Sequence, residues 1–367
     1  MDPIQPLLET IQANCDISDA RYAGMFSVCG LALRLRDLHK WETGLAPWED
    51  GETRTLLDWI GEREDRWMAL AEREFSPLVY NGCTYGPFDT EEINRQLSTR
   101  GLFYGAGLAN SLKPTFFLAP IAEVYPLEGL SVVVLGREMA RDLLTLPAMT
   151  QDRRILFRKD SGMRFFWDQL VYVKKSGRPY LKFALRRLGG TSLSLEVLQG
   201  HVDPLFKVQR EIFIRHEVGE VLDSVFEAES WQELIADHPH TPVELLARAL
   251  KDLLADTHPK GTLRHLIRGR NAIALALYSA LLDGFMLEIF EEFRNACEEL
   301  LETGSWDSVE AKVESGRKRV TRMAGDMMRL HREGRARGDA DWTRRRIEER
   351  LVNPFLKGRE GRDSPSV

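Results

Sequence analysis

Cysteine is scarce in this chain of 367 residues. Cys15, Cys29, Cys83 and Cys297 lie far apart, with no C-x-x-C pair and no Cys/His spacing suited to zinc. That excludes a small disulfide scaffold and fits free thiols in a reducing compartment. Met1-Asp2-Pro3-Ile4 lacks the basic stretch and apolar core of a secretory signal, so a cytoplasmic location is expected. Internal repeats of ~20–50 residues are missing, as are G-x-S-x-G, the kinase signatures and any Cys/His nucleophile arrangement. Long uncharged apolar runs are missing too, with one near exception. Ala272 to Phe290 is 19 residues with only Asp283 and Glu288 charged. As a helix it would be about 28 Å long, near the ~30 Å hydrocarbon thickness. An Asp close to mid-membrane costs about 2.5–3.5 kcal/mol. A helix buried in a soluble core explains the pattern without that cost, so no membrane contact is expected.

What is present is an ordinary globular mix, 43% hydrophobic and 29% charged, long enough for about two domains. The net charge of −6 argues against whole-surface attraction to nucleic acid or anionic membrane. That average hides a gradient. Lys312 to Asp363 carries 16 Lys and Arg against 9 Asp and Glu, a net of +7, leaving −13 for the remainder.

Along the chain, Ser18–Trp41 and Glu52–Phe75 have apolar residues at helical spacing and read as a helical hairpin around Pro47–Gly51. The middle is punctuated by Gly and Pro. Gly82, Gly86 and Pro87 punctuate a loop, Gly101–Gly107 is rich in glycine, Leu130–Gly136 reads as the best strand, and Arg137–Leu144 returns to helical spacing. From Asp203 onward nearly everything reads helical, including Leu263–Leu301 with a break near Gly269 or Gly284. Ser230–Glu233 and Thr241–Glu244 have the form of capping boxes. The expected fold is mainly α: a helical N-terminal region with a small β insertion over residues 1–189, a C-terminal helical bundle over 190–335, and a basic, partly disordered tail over 336–367. The Gly189–Ser192 stretch marks the expected boundary.

Five segments carry a family resemblance: Asp19–Tyr22, Tyr104–Gly107, Lys113–Ala119, Gly136–Leu143 and Arg215–Glu220. Together they resemble a family of bacterial proteins of unknown function, over about Ile11 to Leu301. The resemblance implies a bacterial, soluble protein and transfers no activity.

The sharpest chemical candidate is the stripe His216, Glu220 and Asp223, at i, i+4 and i+7 of a helix, with Glu217 beside it. An imidazole with carboxylates suits iron or manganese, and helical bundles build such sites from facing helices. Further ligands would come from His265, Asp283 and Glu288. Against this, the stripe lies opposite the valine face of its helix, the position of a solvated surface, unless the helix is buried on both sides. An acidic residue in an apolar helix more often pairs with Lys or Arg. Gly105, Gly107 and Lys113 form a second candidate, for an anion, although their spacing departs from a phosphate loop and a turn or tight packing explains them equally. The last long helix carries Val309, Val313, Gly316, Val320, Met323, Met327 and Leu330 as an a/d seam, which requires a partner helix in this chain or another. Its outer face bears Arg317, Lys318, Arg319 and Arg322, with Arg344, Arg345 and Arg346 beyond. These are candidates for nucleic-acid contact, or a basic face docking on the acidic body. Three readings follow: an intracellular helical protein acting through a protein partner or its own copy, a metal-dependent enzyme, and a nucleic-acid-associated protein.

Overall fold

A computed structural model describes residues 3–109 and 111–355 and divides the chain into two compact units, Met1–Val171 and Tyr172–Val367. The break falls upstream of the expected Gly189–Ser192. The helix Arg178–Arg187 belongs to the second unit, because Gly177 at its start packs so closely on Ala280 that a Cβ would lie 2.1 Å from the carbonyl oxygen.

The first unit opens with α1 (Ile4–Tyr22), α2 (Val28–Glu42) and α3 (Thr53–Leu70). The helix expected over Ser18–Trp41 is two helices, and Ser27 starts the second by accepting from Gly30 N. A two-stranded hairpin, β1 (Leu78–Tyr80) and β2 (Cys83–Tyr85), and α4 (Thr90–Leu97) precede a six-stranded sheet. Its strands are β3 (Leu102–Ala109), β4 (Lys113–Leu127), β5 (Leu130–Leu135), β6 (Ala140–Arg141), β7 (Ala148–Gln151) and β8 (Arg154–Arg158), in the order β3-β4-β5-β8-β7, with β6 paired to β4. Helix α5 (Lys159–Val171) closes the unit. Tight turns join neighbours: Glu128 and Gly129, both with positive φ, link β4 to β5, and Asp152 and Arg153 link β7 to β8 in the same way.

The first unit thus holds a β insertion within a helical setting, and one segment changes type. Residues 102–107 of the glycine-rich stretch belong to β3. Arg137–Leu144 is not a helix. Its helical spacing is overridden by pairing of Ala140 and Arg141 with Leu118 and Phe117, and residues 140–145 are buried. Both sheet faces are covered. Phe116 and Leu118 pack with Leu7, Ile11 and Cys15 of α1, while Phe117 and Ala119 on the opposite face pack with Val133, Leu135 and Leu156.

The second unit is helical throughout: α6 (Arg178–Arg187), α7 (Leu195–Leu222), α8 (Ala228–Asp237), α9 (Pro242–Thr257), α10 (Thr262–Arg268), α11 (Ala272–Leu281), α12 (Gly284–Ile289), α13 (Glu291–Thr303), α14 (Asp307–Arg337) and α15 (Ala340–Ile347). Thr241 caps α9 as its sequence requires, accepting from Glu244 N with Pro242 at the first helical position. Ser230 lies inside α8 instead, because the helix begins earlier, at Ala228. The apolar Ala272–Phe290 run is broken at Leu282–Asp283 and forms α11 and α12. No helix among the described residues is long and apolar enough to cross a membrane.

The seam of α14 finds its partners inside the chain. Val309, Val313, Gly316, Val320 and Met327 are buried where α14 packs on α9 and α13, and Phe290 fills the space left by Gly316. Part of the stretch after residue 336 is helical. Asp339 caps α15 by accepting from Trp342 N, and Leu351 and Val352 are buried; the rest of the expected tail, 356–367, lies outside the described residues.

Candidate metal centre

His216 and Glu220 sit one turn apart on α7, and Asp252 and Asp256 one turn apart on α9. The two helices run close enough to oppose these pairs because Gly219 lies at their crossing. A Cβ there would fall 2.0 Å from the Ala255 carbonyl oxygen. Helix α7 is thus packed on the side expected to face solvent, and His216 keeps only 24% side-chain exposure.

The geometry gives the two imidazole nitrogens different tasks. Nδ1 lies 3.0 Å from Asp256 Oδ1, and Tyr278 of α11 donates to the other carboxylate oxygen at 2.8 Å. An ionised carboxylate only accepts, so Nδ1 carries the proton and the ring is oriented by Asp256. Nε2 then faces Glu220 Oε2 and Asp252 Oδ1, each at 3.8 Å. The ligand atoms of His216, Glu220 and Asp252 all lie within 4.8 Å of one another, the one such His/Cys/Asp/Glu group among the described residues. A carboxylate behind a histidine whose far nitrogen meets two more carboxylates is the arrangement by which proteins orient metal-binding imidazoles. Lys251 donates to Glu220 Oε1 at 2.7 Å and also lies over the Trp231 ring, so it balances one of the carboxylates.

Electrostatics at the site are opposed. Burial alone would lower the His216 pKa, but Asp256, Asp252 and Glu217 outweigh it and hold the ring well above its usual value. Burial raises Asp252 to about 6, and Lys251 with His216 keeps Glu220 below the usual carboxylate range despite its desolvation.

Of the residues nominated from sequence, His216 and Glu220 converge. Glu217 is buried beside them without joining the ligand group. Asp223 just follows α7 and pairs with Arg317 at 2.8 Å. Asp283 caps α12 through Gly284 N and pairs with Lys174. His265 on α10 and Glu288 on α12 are half-buried outside the group. Asp252, Asp256 and Tyr278 were missed. Their signal was the i, i+4 acidic pair on the helix that Thr241 caps.

The other two candidate sets are differently placed. Gly105 and Gly107 lie in β3, where Gly105 leaves room for the Phe117 ring, and Lys113 is buried against Asp19 at 3.1 Å and Asp142 at 3.3 Å. They form no anion loop. Arg317 also donates to Leu254 O, tying α14 to the end of α9. Lys318 pairs with Glu314, Arg319 with Glu292, Arg344 with Asp341 and Arg346 with Glu349, while Arg322 and Arg345 are exposed.

Models for the N-terminal and C-terminal domains of a family of unknown function (DUF6866) match residues 6–158 and 163–350. The chain belongs to this family. The DUF6866 division, between residues 158 and 163, lies at the start of α5, just before the break between the two compact units. No curated protein and no solved structure matches this DUF6866 chain.

Proposed function

We propose that the protein is metal-dependent, holding iron or manganese through His216 Nε2, Glu220 and Asp252 in its C-terminal unit. The observation that supports this is the convergence of those three ligand atoms together with Asp256 on the far nitrogen of the ring. One imidazole and two carboxylates suit a metal of intermediate hardness, and three protein ligands leave coordination positions for water or substrate, as in catalytic rather than closed structural sites. A bound metal there would supply Lewis acidity or an activated water.

Untagged protein analysed for metals and, once stripped, titrated with Mn²⁺ tests the reading. About one Mn²⁺ per chain is expected, and D252N or H216A should lose it. Failure to titrate in the folded wild-type protein would leave the cluster as an ion-pair network between Lys251, a protonated His216 and their carboxylates.

A further inference from the structure

The N-terminal unit contains buried cationic groups that its own residues do not satisfy. Arg141, paired by β6 with Phe117 of β4, and Arg158, at the end of β8, are both fully buried. Each uses only its Nε: Arg141 donates to the Asp142 carbonyl at 3.0 Å, and Arg158 to Glu138 Oε1 at 3.0 Å. Nη1 and Nη2 of both residues have no hydrogen-bond partner, nor has Nη1 of the buried Arg164. Phe117 places the pair. It is the register partner of Arg141, and the Arg158 guanidinium lies over its ring at 4.2 Å, which holds that plane and leaves the N–H edges directed sideways. Gly105 is what makes the ring's seat, since a Cβ there would lie 2.0 Å from Phe117 Cζ.

Leaving four guanidinium nitrogens on two buried side chains without acceptors would consume a large part of a unit's net stability. A water accepts, but it also brings two protons that need acceptors of their own. An oxyanion brings acceptors only, together with negative charge, and the forked edge of a guanidinium fits phosphate or carboxylate oxygens two at a time. Arg34 and Arg164 are also near: burial, and in part Arg141, holds both below their usual pKa against the opposing pull of Asp37 and Asp168 on Arg34 and of Asp160, paired at 3.4 Å, on Arg164. Glu138 accepts from Arg158 at Oε1 while its buried Oε2 has no hydrogen-bond partner, so one carboxylate oxygen stands against four guanidinium nitrogens; Arg158 with Arg141 keeps it ionised despite its burial.

We propose that the N-terminal unit binds a small oxyanion, phosphate-like in shape and charge, through the free Nη groups of Arg141 and Arg158. The site is distinct from the candidate metal centre and does not rest on it. Full-length protein purified without phosphate or sulfate is acid-denatured, and the released anions are measured. One oxyanion per chain is expected if the ligand is retained through purification. If it is not, millimolar inorganic phosphate should raise the melting temperature by about 5 °C over chloride at equal ionic strength. Sulfate, acetate and citrate are run in parallel. A shift with phosphate and sulfate assigns a tetrahedral anion, and a shift with citrate or acetate alone assigns a carboxylate at the same arginines. R158Q should abolish the shift, and D252N should keep it. If R158Q does not fold, release and shift in the wild-type protein decide. The proposal is overturned by protein that releases no oxyanion and melts alike in all these salts, or by an undiminished shift in folded R158Q.

Discussion

At His216 burial favours the neutral ring and four neighbouring carboxylates favour the charged one, and the carboxylates prevail. A metal must displace the Nε2 proton, so Mn²⁺ affinity should rise with pH through the raised His216 pKa and fall below about 6, where Asp252 is also protonated. Titrations from pH 5 to 9 would check this, and a flat profile would contradict ligation by His216. D256N should weaken Mn²⁺ binding by about 10–100-fold while leaving all three ligands in place, because it removes only the group orienting Nδ1. Asp252 shows what such a site costs. Its folded pKa of about 6 lies above the ordinary value of 3.8, so protonation favours the fold. The penalty therefore appears as pH rises from about 3.8 to about 6 and is complete above it. Metal-free D252N should melt at or above the wild-type temperature at pH 7.5, the difference vanishing below pH 4. A clear loss of stability at pH 7.5 would show that Asp252 serves the fold instead.

The element that builds the site is the α7–α9 crossing, and Gly219 sets its closeness. G219A should cost at least about 2 kcal/mol and weaken Mn²⁺ binding with it, since α7 must move off the Ala255 carbonyl. Gly200, in the same helix with nothing near its missing Cβ, is the control: G200A should be neutral or stabilise by up to about 1 kcal/mol. Melting curves of both variants separate backbone approach from helix propensity. This crossing also explains what was legible in the sequence. The Thr241 cap, the valine strand β5 and the breaks at Gly269 and just before Gly284 are local features, and local chemistry reveals them. Nothing local says that α7 is covered on two sides, so the angular position of His216 and Glu220 suggested solvent, and nothing local marked Asp252 and Asp256 of α9 as their partners. Arg137–Leu144 misled for the same reason: its helical spacing loses to long-range pairing with β4, and that pairing buries Arg141.

On the scale of the whole molecule, the basic C-terminal stretch and the acidic remainder of the sequence are not used in the way their charge suggests. The basic stretch of α14 is largely tied up in ion pairs and in Arg317's contacts with Asp223 and α9, whereas the most demanding positive charges are buried in the acidic N-terminal part. The two ligands proposed are of opposite sign, and the groups proposed to hold each belong to one unit alone. Amide hydrogen exchange on the full chain should reflect this separation. Mn²⁺ should raise protection in α7, α9 and α11 and leave residues 137–164 unchanged, and phosphate should do the reverse. Protection spreading over both units with either ligand would mean that the two sites are coupled, and the description of two independent binding units would have to be given up.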